Sequence, residues 1–368
     1  MTAQTDARFM ALALALGRRG LGQTWPNPSV GCIIVSNGRV VGRGATRPGG
    51  RPHAETEALA MAGSAARGAS AYVSLEPCAH QGRTPPCARA LTDAGVARVV
   101  TALQDPDPRT AGQGHAHLTS AGISVTTDIL SDVAADVHRG FLMRVTEGRP
   151  WLTLKLATSF DGRIATATGD SQWITGPEAR RAVHAERAMY DAVLVGGGTA
   201  RADNPRLTVR GFGPIRQPVR IVASRHVNFP GEALAEGLPD APLWICHGDR
   251  DGDLTETVRA RWDRPGARLF PVQVGPGGQL DPAGLLAALG QAGLTRVFCE
   301  GGGALAASLL QAGLVDEIVG FTAGLVLGAE GRPAIGALGV DTLSEAPRFR
   351  LRDVTRYGPD VCHRWRRS

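Results

Sequence analysis

Short apolar runs alternate along this chain with stretches whose apolar positions recur at helical spacing, the pattern of an α/β protein. The apolar stretch 9–16 reads as the first turns of a core helix over 7–18, ended by Gly17-Arg18-Arg19-Gly20. Strand-like runs at 30–35 and 39–44 flank Ser36-Asn37-Gly38, which predicts a hairpin. A helix is expected from Ala54, a strand at 71–75, a helix over 86–94 and a strand at 98–103. A Gly/Pro-rich loop and a short strand at 123–126 follow. The clearest seam is Glu147-Gly148-Arg149-Pro150, which divides the chain into domains 1–147 and 148–368.

Beyond the seam a strand is expected at 151–156. Thr175 and Glu178 fit a capping box, with Thr175 as N-cap of a helix reaching about 189. A buried strand at 191–195 opens into Gly196-Gly197-Gly198-Thr199, and further buried strands are expected at 219–223, 242–246 and 296–299. The last runs through Glu300 into Gly301-Gly302-Gly303 and a helix to about 312. A closing hairpin over 349–355 and 361–366 turns at Tyr357-Gly358-Pro359-Asp360.

At 368 residues the chain exceeds one ordinary core and suits two domains. Its 43% hydrophobic and 20% charged residues describe a globular protein. No apolar run reaches bilayer length and no signal-peptide order opens the chain, so a cytoplasmic location with no membrane partner is expected. In a reducing compartment the six cysteines serve as thiols or metal ligands. A net charge of +6 raises a nucleic-acid reading, but the basic residues are scattered and aromatics reach only 5%, which argues against that partner. Lys155 is the single lysine in a chain otherwise supplied with arginine, so its retention marks it for attention. The positive balance suits a small phosphorylated substrate and a phosphorylated cofactor.

The candidate chemistry begins at His53-Ala54-Glu55, followed by Pro77-Cys78 and Cys87. One histidine and two cysteines supply three zinc ligands and leave the fourth position to water, as in a catalytic site. Zinc lowers the pKa of water toward neutrality, and Glu55 is placed to move protons to and from that water. The order H-x-E, then P-C and a further cysteine, is the signature of zinc-dependent deaminases. Both ligand clusters fall where helices are expected to begin, with Pro52 in a first-turn position and Cys87 after Pro85-Pro86; helix starts favour thiolates. A lone cysteine is most often a small buried hydrophobe, the reading given to Cys32, Cys246, Cys299 and Cys362. His80, inside the cysteine loop, either competes as a ligand or lines the pocket.

In the second half, neither Gly196-Gly197-Gly198-Thr199-Ala200-Arg201 nor Gly301-Gly302-Gly303-Ala304-Leu305-Ala306 fits G-x-G-x-x-G. Both could bring backbone close to a pyrophosphate at a helix start, and close helix–strand packing explains them equally well.

Thr24-Trp25-Pro26-Asn27-Pro28-Ser29-Val30-Gly31-Cys32, Pro52-His53-Ala54-Glu55 and the segment from Glu76-Pro77-Cys78 to Pro85-Pro86-Cys87 together resemble the riboflavin-biosynthesis pyrimidine deaminases, in which the longer cysteine interval is the rule. Lys155 to Arg163, Ser171-Gln172-Trp173-Ile174-Thr175, Asp203 to Arg210 and Glu300-Gly301-Gly302 are similar to the reductase fused to them. The resemblance implies a cytidine-deaminase-like three-layer domain followed by a dihydrofolate-reductase-like domain that binds NADPH. It implies hydrolytic deamination of a phosphoribosylated diaminopyrimidinone, then NADPH-dependent reduction of the ribosyl side chain.

Asn27 would bond the pyrimidine, and Gly82-Arg83-Thr84 would lie near the ribose phosphate. Family members often carry an aromatic and a histidine after the hairpin, where this chain has Ala45-Thr46, so Arg47, Arg51 or Arg83 are the alternatives for phosphate. Cofactor would touch Ala157, Trp173, Thr199, Asp203, Ser224 and the segment of Gly302 and Gly303. Substrate would touch Lys155, Ser171, Arg187, Leu207, Arg210 and Glu300. Lys155, Asp203 and Glu300 are the candidates for proton handling or hydroxyl anchoring. A homo-oligomer is expected. The competing readings are a nucleoside or RNA deaminase with an accessory nucleotide-binding domain, and a structural zinc site joined to a regulatory domain.

Overall fold

The computed structural model describes residues 2–80 and 85–368, so the expectation for Gly82-Arg83-Thr84 lies outside the described residues. The chain forms two compact units, Met1–Gly148 and Arg149–Ser368. No helix among the described residues is long and apolar enough to cross a membrane.

In the first unit, α1 (Ala3–Arg18) precedes a hairpin of β1 (Gly31–Ser36) and β2 (Arg39–Ala45). The helix starts a turn earlier than its apolar pattern suggests, because the Thr2 hydroxyl caps the Thr5 N–H. Asn37 and Gly38, at φ 49° and 75°, supply the two left-handed residues of the hairpin turn. Then come α2 (Ala54–Ala62), β3 (Ser70–Val73), α3 (Cys87–Asp93), β4 (Arg98–Thr101), α4 (Gln113–Ser120), β5 (Ser124–Thr126) and α5 (Ser131–Glu147). The sheet runs β2-β1-β3-β4-β5, antiparallel through β3 and parallel from β3 to β5.

Alternation along β1 sorts the core into two faces. Cys32 and Ile34 pack with Ala54 and Ala58 of α2, Leu91 of α3 and Leu118 of α4. Ile33 and Val35 pack with Met10 and Leu14 of α1 and Val137 of α5. The result is three layers. Gly44 of β2 fixes how closely α2 approaches, since a Cβ there would stand 2.2 Å from the Ala54 carbonyl oxygen. Close seating of that first turn sets the position of His53 and Glu55.

His138 of α5 is buried, its Nε2 3.1 Å from the Ser74 carbonyl oxygen, and burial holds its pKa down at about 4 against an ordinary 6.5. The unfolded chain binds this proton near pH 6.5 and the native state only near 4, so His138 withdraws stability as pH falls between those values. The slope is about 1.4 kcal/mol per pH unit. His138→Gln is expected to flatten the acid side of the first unit's stability profile, measured by denaturant titration at several pH values. An unchanged slope between pH 6.5 and 5 would show that His138 takes its proton in the native state.

The second unit begins with β6 (Trp151–Thr158), β7 (Arg163–Ala165), α6 (Pro177–Arg187), β8 (Ala192–Gly196) and α7 (Gly197–Asp203). It continues through β9 (Val219–Ala223), α8 (Glu232–Ala235), β10 (Leu243–Gly248), α9 (Glu256–Trp262), β11 (Ala267–Val272), α10 (Pro282–Gln291), β12 (Arg296–Gly301) and α11 (Gly303–Gln311). It closes with β13 (Glu317–Thr322), β14 (Arg332–Pro333) and the hairpin of β15 (Phe349–Tyr357) and β16 (Asp360–Arg367). The main sheet runs β11-β10-β9-β8-β12-β6-β13-β16-β15, parallel from β11 to β13 and antiparallel at the hairpin.

The expected capping box is not formed. Gly176 is the N-cap, because Pro177 takes the first helical position, and the Gly176 N–H donates to Asp360 Oδ2 at 2.6 Å. In the first glycine run, Gly197 and Gly198 lie in the first turn of α7. From β8 the chain steps outward to β9, β10 and β11, then returns to place β12 between β8 and β6. In open α/β sheets that reversal opens a crevice at the carboxyl ends of the strands, where ligands bind.

Candidate active sites

His53 is the N-cap of α2, in extended conformation, so Pro52 stands just outside the helix instead of in its first turn. Cys87 opens α3, and Cys78 lies on the segment after β3. The His53 Nδ1 is 3.3 Å from Cys87 Sγ and 3.7 Å from Cys78 Sγ, and the three donor atoms lie within 4.8 Å of one another. A nitrogen and two soft sulfurs at this separation fit zinc. The start of α3 serves Cys78 more than Cys87: the Cys87 N–H donates to Cys78 Sγ at 3.4 Å. The Cys78 thiol is drawn down to about 4, chiefly by the Cys87 thiol and then by His53, while the same bond and burial push Cys87 up. A bound divalent cation would ionise both sulfurs.

Glu55 is buried beside this trio, 4% exposed, and burial pushes its carboxyl up to about 7, with the negative charge on Cys78 adding to the push. A carboxyl poised near neutrality exchanges protons in both directions. Asn27 donates from Nδ2 to the Gly50 carbonyl oxygen at 2.8 Å, which fastens it to the loop leading into His53. Gly50 must lack a side chain: its φ is 84°, and a Cβ would stand 2.5 Å from Asn27 Nδ2. Arg47, one of the phosphate alternatives, pairs with Glu57 at 2.5 Å with its side chain largely exposed. His80 Nδ1 lies 3.4 Å from Thr110 Oγ1 and is not among the grouped donors. Cys32, Cys246, Cys299 and Cys362 are buried free thiols.

One residue of the cysteine motif is given no role by sequence alone. Glu76, two positions before Cys78, is a buried carboxylate that accepts the N–H groups of Asp105, Gly112, Gly114 and His115 at 2.9–3.2 Å. It thereby ties the 105–115 segment to the turn bearing Cys78, a role that no local spacing advertises.

In the second unit the carboxyl ends of the parallel strands gather most of the candidates. Glu300, near the end of β12, receives Arg187 of α6 through Nε and through Nη2, the latter 2.9 Å from Oε2. Arg187 Nη1 donates to the Thr208 carbonyl oxygen at 2.8 Å. Leu207, at φ 54°, holds the left-handed turn that presents this carbonyl. Lys155 Nζ lies 4.0 Å from Glu300 Oε2. Burial pushes Glu300 up, but Arg187 and Lys155 outweigh it and hold the carboxyl below the usual range; burial draws Lys155 down. A second residue missed from sequence joins here. His184 lies three positions before Arg187 on α6 and meets Arg210, with Nδ1 3.3 Å from the Arg210 backbone nitrogen.

Along the same edge lie Ala157 near the end of β6, Thr199 in α7, Ser224 just past β9, and Gly302 and Gly303 at the start of α11. Thr199 Oγ1 donates to the Gly301 carbonyl oxygen at 3.2 Å, joining two of these turns. Gly301 and Gly302, at φ 41° and 93°, lead into a helix that no side chain caps. That cradle suits a phosphate-bearing cofactor. Asp203 ends α7 at the surface. Ser171 and Trp173 lie on a separate segment, where Trp173 is 66% exposed under the Arg180 guanidinium and borders an open cleft of about 390 Å³.

Comparison with known proteins gives both halves a lineage. Residues 3–103 match the cytidine and deoxycytidylate deaminase zinc-binding region, and residues 150–363 match the RibD C-terminal domain. The riboflavin biosynthesis protein RibD of Escherichia coli is 42% identical, with 97% of this chain and 98% of that protein covered. Its Haemophilus influenzae counterpart is 41% identical over 97% of this chain and 96% of its own length. The solved structure of Acinetobacter baumannii RibD, form 1, is 37% identical and superposes with a TM-score of 0.89 over the whole of both chains. A Thermotoga maritima diaminohydroxyphosphoribosylaminopyrimidine deaminase/5-amino-6-(5-phosphoribosylamino)uracil reductase is 30% identical, with a TM-score of 0.86 over 100% of this chain and 99% of that one. With two domain matches in this order and likeness over nearly its full length, the chain belongs to the RibD family of bifunctional riboflavin-biosynthesis deaminase/reductases.

Proposed function

We propose that His53, Cys78 and Cys87 hold the zinc of the deaminase unit and that Glu55 is its proton carrier. The grouping of three donor atoms beside a buried carboxyl carries this reading. Bound zinc supplies the Lewis acidity that makes water a nucleophile near neutral pH. Glu55 would take one proton from that water and give it to the ring nitrogen, then move the hydroxyl proton of the tetrahedral adduct to the amino group that leaves as ammonia. Asn27 orients the pyrimidine. The substrate is 2,5-diamino-6-(5-phosphoribosylamino)pyrimidin-4(3H)-one, whose 2-amino group leaves as ammonia.

The second unit then reduces the ribosyl side chain to give 5-amino-6-(5-phosphoribitylamino)uracil. NADPH is the family's reductant and supplies the hydride. In our reading the cofactor lies along Ala157, Thr199, Asp203, Ser224, Gly302 and Gly303, with Trp173 at the open end. Lys155 and Glu300 anchor the sugar hydroxyls or carry the proton that accompanies the hydride, while Arg187 fixes Glu300. Ser171, Leu207 and Arg210 complete the substrate side. The substrate is a small phosphorylated molecule, four buried thiols beside two thiolate ligands suit a reducing cytoplasm, and the working unit is a homo-oligomer.

One assay tests both halves. The purified chain, given the diaminopyrimidinone with and without NADPH, is expected to release ammonia in both cases and to consume NADPH only after deamination. Ammonia without NADPH loss would refute the reductase half, and silence in both channels would refute the whole reading.

A further inference from the structure

The strand that closes the chain holds α6 at both ends. Asp360, which opens β16 and is buried, accepts the Gly176 N–H at the start of the helix. Arg364, four residues on, reaches the other end. Its Nη2 donates to Glu186 Oε1 at 2.6 Å and its Nη1 to Glu317 Oε2 at 2.7 Å. Glu186 immediately precedes Arg187 on α6. Glu317 of β13 is fully buried and pairs with Thr153 of β6. The Thr153 hydroxyl donates to Glu317 Oε2 at 3.4 Å and accepts the Tyr190 O–H at 2.8 Å. Lys155 stands two residues beyond Thr153, on the same face of that strand.

One guanidinium therefore joins the helix that bears Arg187 to the strands beneath it. Its planar fork uses a separate nitrogen for each carboxylate, which fixes the distance between them. Arg187 needs that precision. It meets Glu300 through two nitrogens and the Thr208 carbonyl through the third, so a small slip of α6 would break the set. We infer that Arg364, acting through Glu186, is a positioning residue of the reductase, setting the end of α6 so that Arg187 holds Glu300 beside Lys155. The inference rests on the reading that Arg187 and Glu300 serve the reductase substrate, and it gives the C-terminal hairpin a part in that half-reaction.

Arg364→Ala would strip the buried Glu317 of its guanidinium and endanger folding, so the test cuts the anchor at Glu186 instead. The full-length enzyme is supplied with deaminated substrate and NADPH. Glu186→Ala is expected to lower reductase kcat/KM about tenfold, as a slight misplacement of a substrate-facing group does. Glu186→Gln, whose amide oxygen still accepts from Arg364, is expected to stay within about threefold of the wild type. In an Arg187→Ala background, Glu186→Ala is expected to cost nothing further, because the group it positions is gone. An equal loss in both backgrounds would show that Glu186 is merely structural and overturn the inference. So would an unchanged kcat/KM in Glu186→Ala beside a lowered one in Arg187→Ala, an outcome that leaves the site reading standing. Unchanged turnover in Arg187→Ala would overturn the site reading and the inference together.

Discussion

Cys78→Ala is expected to yield a protein that holds no zinc and releases no ammonia, yet still oxidises NADPH when supplied with deaminated substrate. Zinc brings the pKa of water from about 15.7 to about 7, so losing it removes on the order of 10⁸ in available hydroxide. Cys78 is one of three donors whose ligand atoms lie within 4.8 Å of one another. Its thiol is the one drawn down to about 4, and it accepts the Cys87 N–H at 3.4 Å. Without it, His53 and Cys87 offer two donors, too few for a site of this class. Metal content by atomic emission is expected to fall from about one zinc per chain to near zero, independently of turnover. Full zinc occupancy in Cys78→Ala would show that the metal is held elsewhere.

Glu55→Gln separates the metal from the proton. This variant is expected to keep its zinc and lose about a thousandfold in ammonia release, within the range carried by a positioned general acid–base. Gln matches Glu in size, so the buried site keeps its packing, and a neutral side chain is easier to bury than a carboxylate. Thermal stability should hold or rise, which distinguishes lost chemistry from lost fold. Ammonia release within about threefold of wild type would remove Glu55 from the mechanism.

What could be read beforehand followed physical rules. Runs such as Ala192–Gly196 declare themselves because strands buried on both faces are apolar throughout. β11 was hidden by Pro271, which is tolerated because that strand forms the sheet edge. β13 was hidden by Glu317 and by Gly320, where a Cβ would stand 2.2 Å from the His363 ring. α5 escaped because His138 and Gly140, both buried, break the apolar pattern of its inner face. The zinc donors and Glu55 were legible because their motif is short and their chemistry specific. His184 and Glu76 were not, since their partners stand 26 or more positions away in sequence.

The placement of the candidates has a genetic consequence. Glu55 and the metal ligands belong to Met1–Gly148, whereas Lys155, His184, Arg210 and Glu300 belong to Arg149–Ser368. Damage to one half need not silence the other. A riboflavin-requiring cell carrying one copy with Glu55→Gln and a second with Lys155→Met should grow without the vitamin, each allele making what its sister cannot and the intermediate passing between them through the cell.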